Sequence, residues 1–150
     1  MKQEYIHYNI KEGIAKIVLN RPPANVFDEN MGKTLLQHFK NANIMDSVKI
    51  IYFTAIGTRF CRGLDLKSID IEKPEEVARL QCEVFDPIGT AIYKNTKPVI
   101  CAMNGSAVGA GLMFALASDL VYGVFDMKMA FTFADRGLIP ACGRIFYLKY

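Results

Sequence analysis

Histidine is scarce in this chain, and cysteine is poorly placed for metal. Only His7 and His38 occur, and the four cysteines (Cys61, Cys82, Cys101 and Cys142) form no C-x-x-C pair. Structural zinc needs ligands at short, regular spacings, so the sequence argues against a metal centre. The cysteines stand among apolar neighbours, which predicts reduced, buried thiols. No sign of charge dominates: 18 basic residues face 15 acidic ones, for a net +3. The densest basic spots, "KNTK" and "TRFCRG", are short and read as solvated loops. This is no electrostatic footprint for nucleic acid. The start, "MKQEYIHYNI", lacks the apolar core of a signal peptide. The longest apolar run, Cys101 to Leu120, is interrupted by Asn104, three glycines, Ser118 and Asp119. It reads as strand, turn and helix rather than a membrane span, and the expected location is cytoplasmic.

What is present is a globular composition, 51% apolar against 22% charged, with enough residues for one core, taken as a single domain over 1–150. "YIHYNI" and "IAKIVLN" predict two strands joined by the turn "KEG". The prolines of "RPPAN" forbid regular structure there. Asp28 is placed to cap a helix carrying Met31, Leu35, Leu36 and Phe39 at helical spacing. "VKIIYFTA" predicts a strand covered on both faces. "IGTRFCRGLDL" predicts a loop. "KPEEVARLQCEVFDPIGTAIYKN" predicts a helix with Pro74 in its first turn and a kink or break at Pro87. "KPVICAM" predicts a buried strand, "NGSAVGAG" a loop and "LMFALAS" a helix apolar on all sides. "LVYGVF" and "MAFTF" predict strands, and "GRIFYLKY" the opening of a further helix. The order β, β, α, β, α, β, α, β is an α/β pattern.

The glycines at 105, 109 and 111 pose the functional question. A dinucleotide fingerprint needs a third glycine where Phe114 stands, and the Walker pattern is missing. An oxyanion site fits better, because a second loop accompanies the first. "FCRGLDL" follows one predicted strand and "NGSAVGAGL" another. Two strand-ending loops can each aim a backbone N–H at one point, and glycine lets a ligand approach. Such a pair of donors stabilises a thioester oxygen as it becomes an enolate. The alternative is that both glycine turns only lead strands into helices.

Four segments in order resemble the crotonase superfamily, the enoyl-CoA hydratases and isomerases. They are "IAKIVLNRPPANVFDENM", "GTRFCRGLDL", "KPVICAMNGSAVGAGLMFALASDLVY" and "FTFADRGLIPACG". The resemblance covers nearly the whole chain. It implies a spiral of repeated ββα units, stopping before the family's C-terminal helices, and assembly into a homotrimer or hexamer. It implies an acyl thioester substrate, on CoA or an acyl-carrier protein, with no cofactor beyond that pantetheine arm. Carried over residue by residue, it makes the backbone N–H groups of Arg62 and Ala110 the oxyanion donors. Arg62, Gly63, Leu64, Asp65, Gly109 and Ala110 become the substrate-binding set. Arg62 could face a ligand phosphate, and Asp65 would hold its loop by bonding backbone N–H groups.

The departures decide the chemistry expected. The family's first catalytic glutamate falls at Met113, which cannot take a proton. The second falls in a segment about two residues shorter than the family's, where Asp135 is the nearest carboxylate, either a working base or a surface or turn carboxylate paired with Arg136. One carboxylate suits isomerisation; none suits decarboxylation. A histidine found near the glycine loop in decarboxylating relatives is Ser106 here. Tyr52, Tyr93 and Tyr122 are candidate acids that nothing in their spacing distinguishes. The expected function is therefore an enoyl isomerase or decarboxylase, with Asp135 as acid/base. The alternatives are a hydratase and a non-catalytic acyl-CoA-binding or scaffold member.

Overall fold

The computed structural model describes residues 4–70 and 72–140. The chain opens with a hairpin, β1 (Ile6–Lys11) and β2 (Ile14–Leu19), paired antiparallel from Ile6↔Leu19 to Lys11↔Ile14. Its two-residue turn, Glu12 and Gly13, has positive φ at both positions, the conformation that matches strand twist. Helix α1 (Glu29–Ile44) begins where expected: Asp28 Oδ1 accepts from the Met31 N–H at 2.8 Å. The helix then returns the chain to β3 (Ile50–Ala55), parallel to β2.

From β3 onward the chain repeats one device. Each strand of the large sheet is followed by a short strand of a small sheet, then by a helix or turn. Strand β3 leads to β4 (Arg59–Cys61), then to α2 (Pro74–Leu80) and α3 (Asp86–Tyr93). Strand β5 (Val99–Met103) leads to β6 (Ser106–Val108) and α4 (Ala110–Leu116). Strand β7 (Leu120–Gly123) leads to β8 (Met129–Ala130) and a single 3-10 turn at Ala134–Arg136. The large sheet has the order β1-β2-β3-β5-β7 and the small one β4-β6-β8, all parallel apart from the opening hairpin.

Several expectations need correction. The two glycine-containing loops each hide a strand of three residues, β4 and β6. These are too short to show a period, and the small sheet alone defines them. Pro87 does not break its helix. The backbone stays helical through a π turn at Gln81–Phe85, and Pro87 sits in the first turn of α3. Strand β3 is not covered on both faces: Ile51, Phe53 and Ala55 are buried, while Ile50, Tyr52 and Thr54 are only half-buried. On that outer face Lys16 Nζ stands 5.9 Å from the Tyr52 ring centre. "MAFTF" contributes a strand of two residues, Met129–Ala130. "GRIFYLKY" lies outside the described residues.

The core sits where sheet, helix and small sheet meet. Phe53 of β3 makes edge-to-face contacts with Phe39 of α1 and Phe60 of β4, at centroid separations of 5.4 and 5.2 Å. Phe114 of α4 makes another with Phe27, at 5.4 Å. All five rings are fully buried; each contributes roughly 1.5–3 kcal/mol by leaving water. This apolar centre fixes the small sheet against α4 and so places the two loop ends side by side. Among the described residues no helix is long and apolar enough to cross a membrane.

Candidate active site

The segment after β2 acts as a splint for the first loop. Asn25 is completely buried with φ +48. Its Oδ1 accepts from the Arg21 N–H at 2.8 Å, and its Nδ2 donates to Ile56 O at 2.9 Å and Arg59 O at 2.8 Å. The irregular backbone that the prolines impose thus lies along the start of β4. It offers Ala24 O to the Arg62 N–H, at 3.0 Å. Arg62 was expected to supply an oxyanion donor; its N–H is already engaged, so that assignment does not fit this geometry.

The next residues show which N–H replaces it. Phe27 and Leu64 form a parallel bridge. The Phe27 N–H donates to Gly63 O at 2.8 Å, and the Asp65 N–H donates to Phe27 O at 2.7 Å. Successive groups on an extended chain alternate in direction. The Leu64 N–H therefore points away from Phe27, and among the described residues nothing accepts from it. Sequence spacing could not have shown this, because the alternation is set by a partner on a distant segment.

The second loop approaches closely. Gly109 (φ +56, ψ −129) precedes α4, and its carbonyl accepts from the Met113 N–H at 3.1 Å. Ala110 opens the helix, so its N–H has no intrahelical partner, and among the described residues it has no acceptor either. Gly63 stands between the two loops with φ +79. A β-carbon there would lie 3.2 Å from Ala110 N and 3.0 Å from Val108 O. Only a bare α-carbon lets these backbones meet. Leu64, Gly63 and Ala110 line one cavity of about 330 Å³.

The remaining expected residues divide into rim, support and core. The exposed Arg62 and Asp135 line the cavity; Asp135 lies on the 3-10 turn and, among the described residues, is its only lining carboxylate. Asp65, expected in the substrate-binding set and also to hold its loop through backbone N–H groups, does not line the cavity and does hold the loop. Its Oδ2 meets Arg21 Nη2 at 2.8 Å, and its Oδ1 accepts from the Lys67 N–H at 3.2 Å. Arg21 in turn donates to Val26 O at 2.9 Å. Met113 is completely buried in the core. Ser106 lies on β6, not in a turn, and its Oγ accepts from the Lys128 N–H at 3.3 Å.

Among the described residues the thiols offer no nucleophile at this site. Burial pushes Cys61 up to about 12, against the opposing effect of the Gly63 N–H that donates to its Sγ at 3.2 Å. Burial, and then the neighbouring Cys61, push Cys101 up as well. Cys82 is exposed, against the expectation that the thiols would be buried. Cys142 lies outside the described residues.

Sequence reading did not place α2 and the π turn on the cavity wall, yet Val77, Gln81 and Phe85 line it. An ion pair ties this wall to α1. Arg79 Nη2 stands 2.8 Å from Glu29 Oε2, and Lys33 Nζ 2.7 Å from Glu29 Oε1. Hydrogen bonds from Arg79 and then Lys33 hold the Glu29 carboxyl down at about 2, below its ordinary 4.5. A depressed carboxylate stabilises the fold above its unfolded value. That contribution is lost as pH falls from about 4.5 toward 2. Urea midpoints measured across that window should fall less steeply for Glu29→Gln than for the wild type. Parallel acid limbs would remove Glu29 from the account.

Comparison with known proteins identifies related chains. The family model for enoyl-CoA hydratase/isomerase matches residues 9–150. The chain is 35% identical over 144 residues to the 1,2-epoxyphenylacetyl-CoA isomerase of Escherichia coli (strain K12), covering 93% of this chain and 55% of that one. It is 30% identical over 145 residues to the carnitinyl-CoA dehydratase of Proteus mirabilis, covering 95% and 54%. The crystal structure of an enoyl-CoA hydratase from Bacillus anthracis superposes with a TM-score of 0.83 at 25% identity, covering 93% of this chain and 55% of that one. The chain thus spans about half the length of the curated relatives it matches.

Proposed function

The chain belongs to the enoyl-CoA hydratase/isomerase family, and on that premise we propose that its cavity binds an acyl thioester and stabilises the enolate formed from it. The thioester oxygen accepts from the Leu64 and Ala110 N–H groups. The observation that carries this reading is the pair of N–H groups, without acceptors among the described residues, on two loops that meet at Gly63. Donors fixed in advance favour the charge that develops on that oxygen, and their reorganisation costs little during reaction. The exposed Arg62 supplies positive charge at the rim for the anionic end of a CoA or carrier-protein arm.

The reaction proposed is isomerisation. Asp135 takes a proton from C2 of a 3-enoyl thioester, the electron pair moves the double bond to C2–C3, and the proton returns at C4. Two features support one acid/base over a pair. Asp135 is the only carboxylate lining the cavity among the described residues, and Met113 is a buried thioether. Relatives named as isomerase and dehydratase show that this fold carries more than one such reaction.

Calorimetric titration with acetyl-CoA and crotonyl-CoA tests binding. Deuterium exchange at C2 of acetyl-CoA, followed by NMR, tests enolate formation. Binding with exchange that Asp135→Asn abolishes is the expected outcome. Binding without exchange would remove the enolate chemistry, and no binding would remove the thioester site.

A further inference from the structure

On the helical wall of the cavity Gln81 is the one polar side chain, between Val77 and Phe85, while Arg62, Thr132 and Asp135 line it from other segments, and a π turn keeps that wall continuous. Along a regular α-helix Phe85 would stand about 80° round from Val77. The wider turn at Gln81–Phe85, closed by the Asp86 N–H donating to Gln81 O, takes up most of that rotation. Val77, Gln81 and Phe85 therefore form one stripe along the cavity. Val77 and Phe85 are buried and Gln81 is half-buried between them. Leu64 and Leu66 also line the space. Among the described residues nothing hydrogen-bonds the Gln81 amide. Leu80 and Val84, the neighbours of this stripe on the helix, face the core instead.

We propose that Gln81 is a specificity-determining residue whose amide pairs with an oxygen on the acyl chain. The preferred substrate class is then an oxygen-bearing acyl thioester (hydroxyl, keto or ether) rather than a plain hydrocarbon one. This rests on the thioester reading above. The physical reason is desolvation. While the cavity is open to water, the amide is solvated. A bound hydrocarbon chain expels that water and leaves the amide unpaired, whereas an oxygen on the chain replaces it. A site built around a hydrogen bond discriminates against ligands that cannot make it.

The test compares ligands of equal carbon count on the full chain: butyryl-CoA, 3-hydroxybutyryl-CoA and 4-hydroxybutyryl-CoA, titrated into wild type and Gln81→Met. Wild type should bind at least one hydroxylated ligand roughly 3- to 10-fold more tightly than butyryl-CoA, the range one hydrogen bond supplies. Gln81→Met should erase that preference while keeping or improving butyryl-CoA affinity. Should the methionine variant misfold, Gln81→Leu serves the same purpose. Equal affinity for all three ligands in wild type overturns the proposal, as does a preference that survives in the variant. In both cases butyryl-CoA still binds and the thioester reading stands. If no ligand binds, that reading fails and takes this proposal with it.

Discussion

Ala110→Pro should lower the rate of C2 exchange in a bound acyl thioester by about 10²–10³-fold while leaving the fold intact. Proline removes the N–H proposed to hold the thioester oxygen, and the loss of one such donor has about that effect. The substitution is otherwise mild. Ala110 is the first residue of α4, a position that tolerates proline because its N–H has no helical partner. The preceding residue is Gly109, whose freedom accommodates the restriction proline places on its neighbour. The first hydrogen bond of the helix, from the Met113 N–H to Gly109 O, does not involve the lost group. The thermal midpoint should therefore stay close to wild type. Ala110→Gly, which keeps the N–H, should retain most of the exchange rate. A folded Ala110→Pro protein exchanging at the wild-type rate would show that another group holds the oxygen.

Gly105→Ala should be the most damaging single methyl addition in the small sheet. Its β-carbon would fall 2.0 Å from Thr58 O, 2.7 Å from Thr58 C and 3.0 Å from Arg59 Cα. All three are backbone atoms, so no side chain can swing aside. Relief requires β4 and β6 to separate at the Arg59↔Ser106 pairing. It would also disturb the bond from Asn104 Nδ2 to Gly57 O, now 2.6 Å. Overpacking that moves backbone costs about 3 kcal/mol or more, a fall in Tm of roughly 6–12 °C for a chain of this size. Strands β4 and β6 deliver Leu64 and Ala110 to the cavity, so ligand binding should weaken even at temperatures where the variant stays folded. A melting temperature within two degrees of wild type would mean that the loops are looser than their spacing implies.

Local signals in the sequence were enough for much of the fold. Asp28 caps α1 because a short side-chain oxygen before an apolar helical period has one favourable place to bond. The strands β2, β3 and β5 declare themselves through β-branched runs, and the two glycine loops through residues that only close approach requires. Four segments in order, the two glycine loops among them, were also enough to point to the family.

Other features depend on contacts between distant segments. Nothing within "RFCRGLDL" says which N–H is free. The Ala24 carbonyl takes that of Arg62, and the bridge to Phe27 turns that of Leu64 the other way. Nothing near Asp65 in the sequence says that its charge partner is Arg21, far back in the chain. Gln81 reads as an ordinary helical residue until the fold lays its helix along the cavity and a π turn brings Phe85 into line with it. The sequence by itself determined which backbone can come close, because glycine, proline and side-chain period act within a few residues. The tertiary structure decided which polar groups remain unpaired there, because a hydrogen bond is satisfied or left open by whatever the fold brings opposite it.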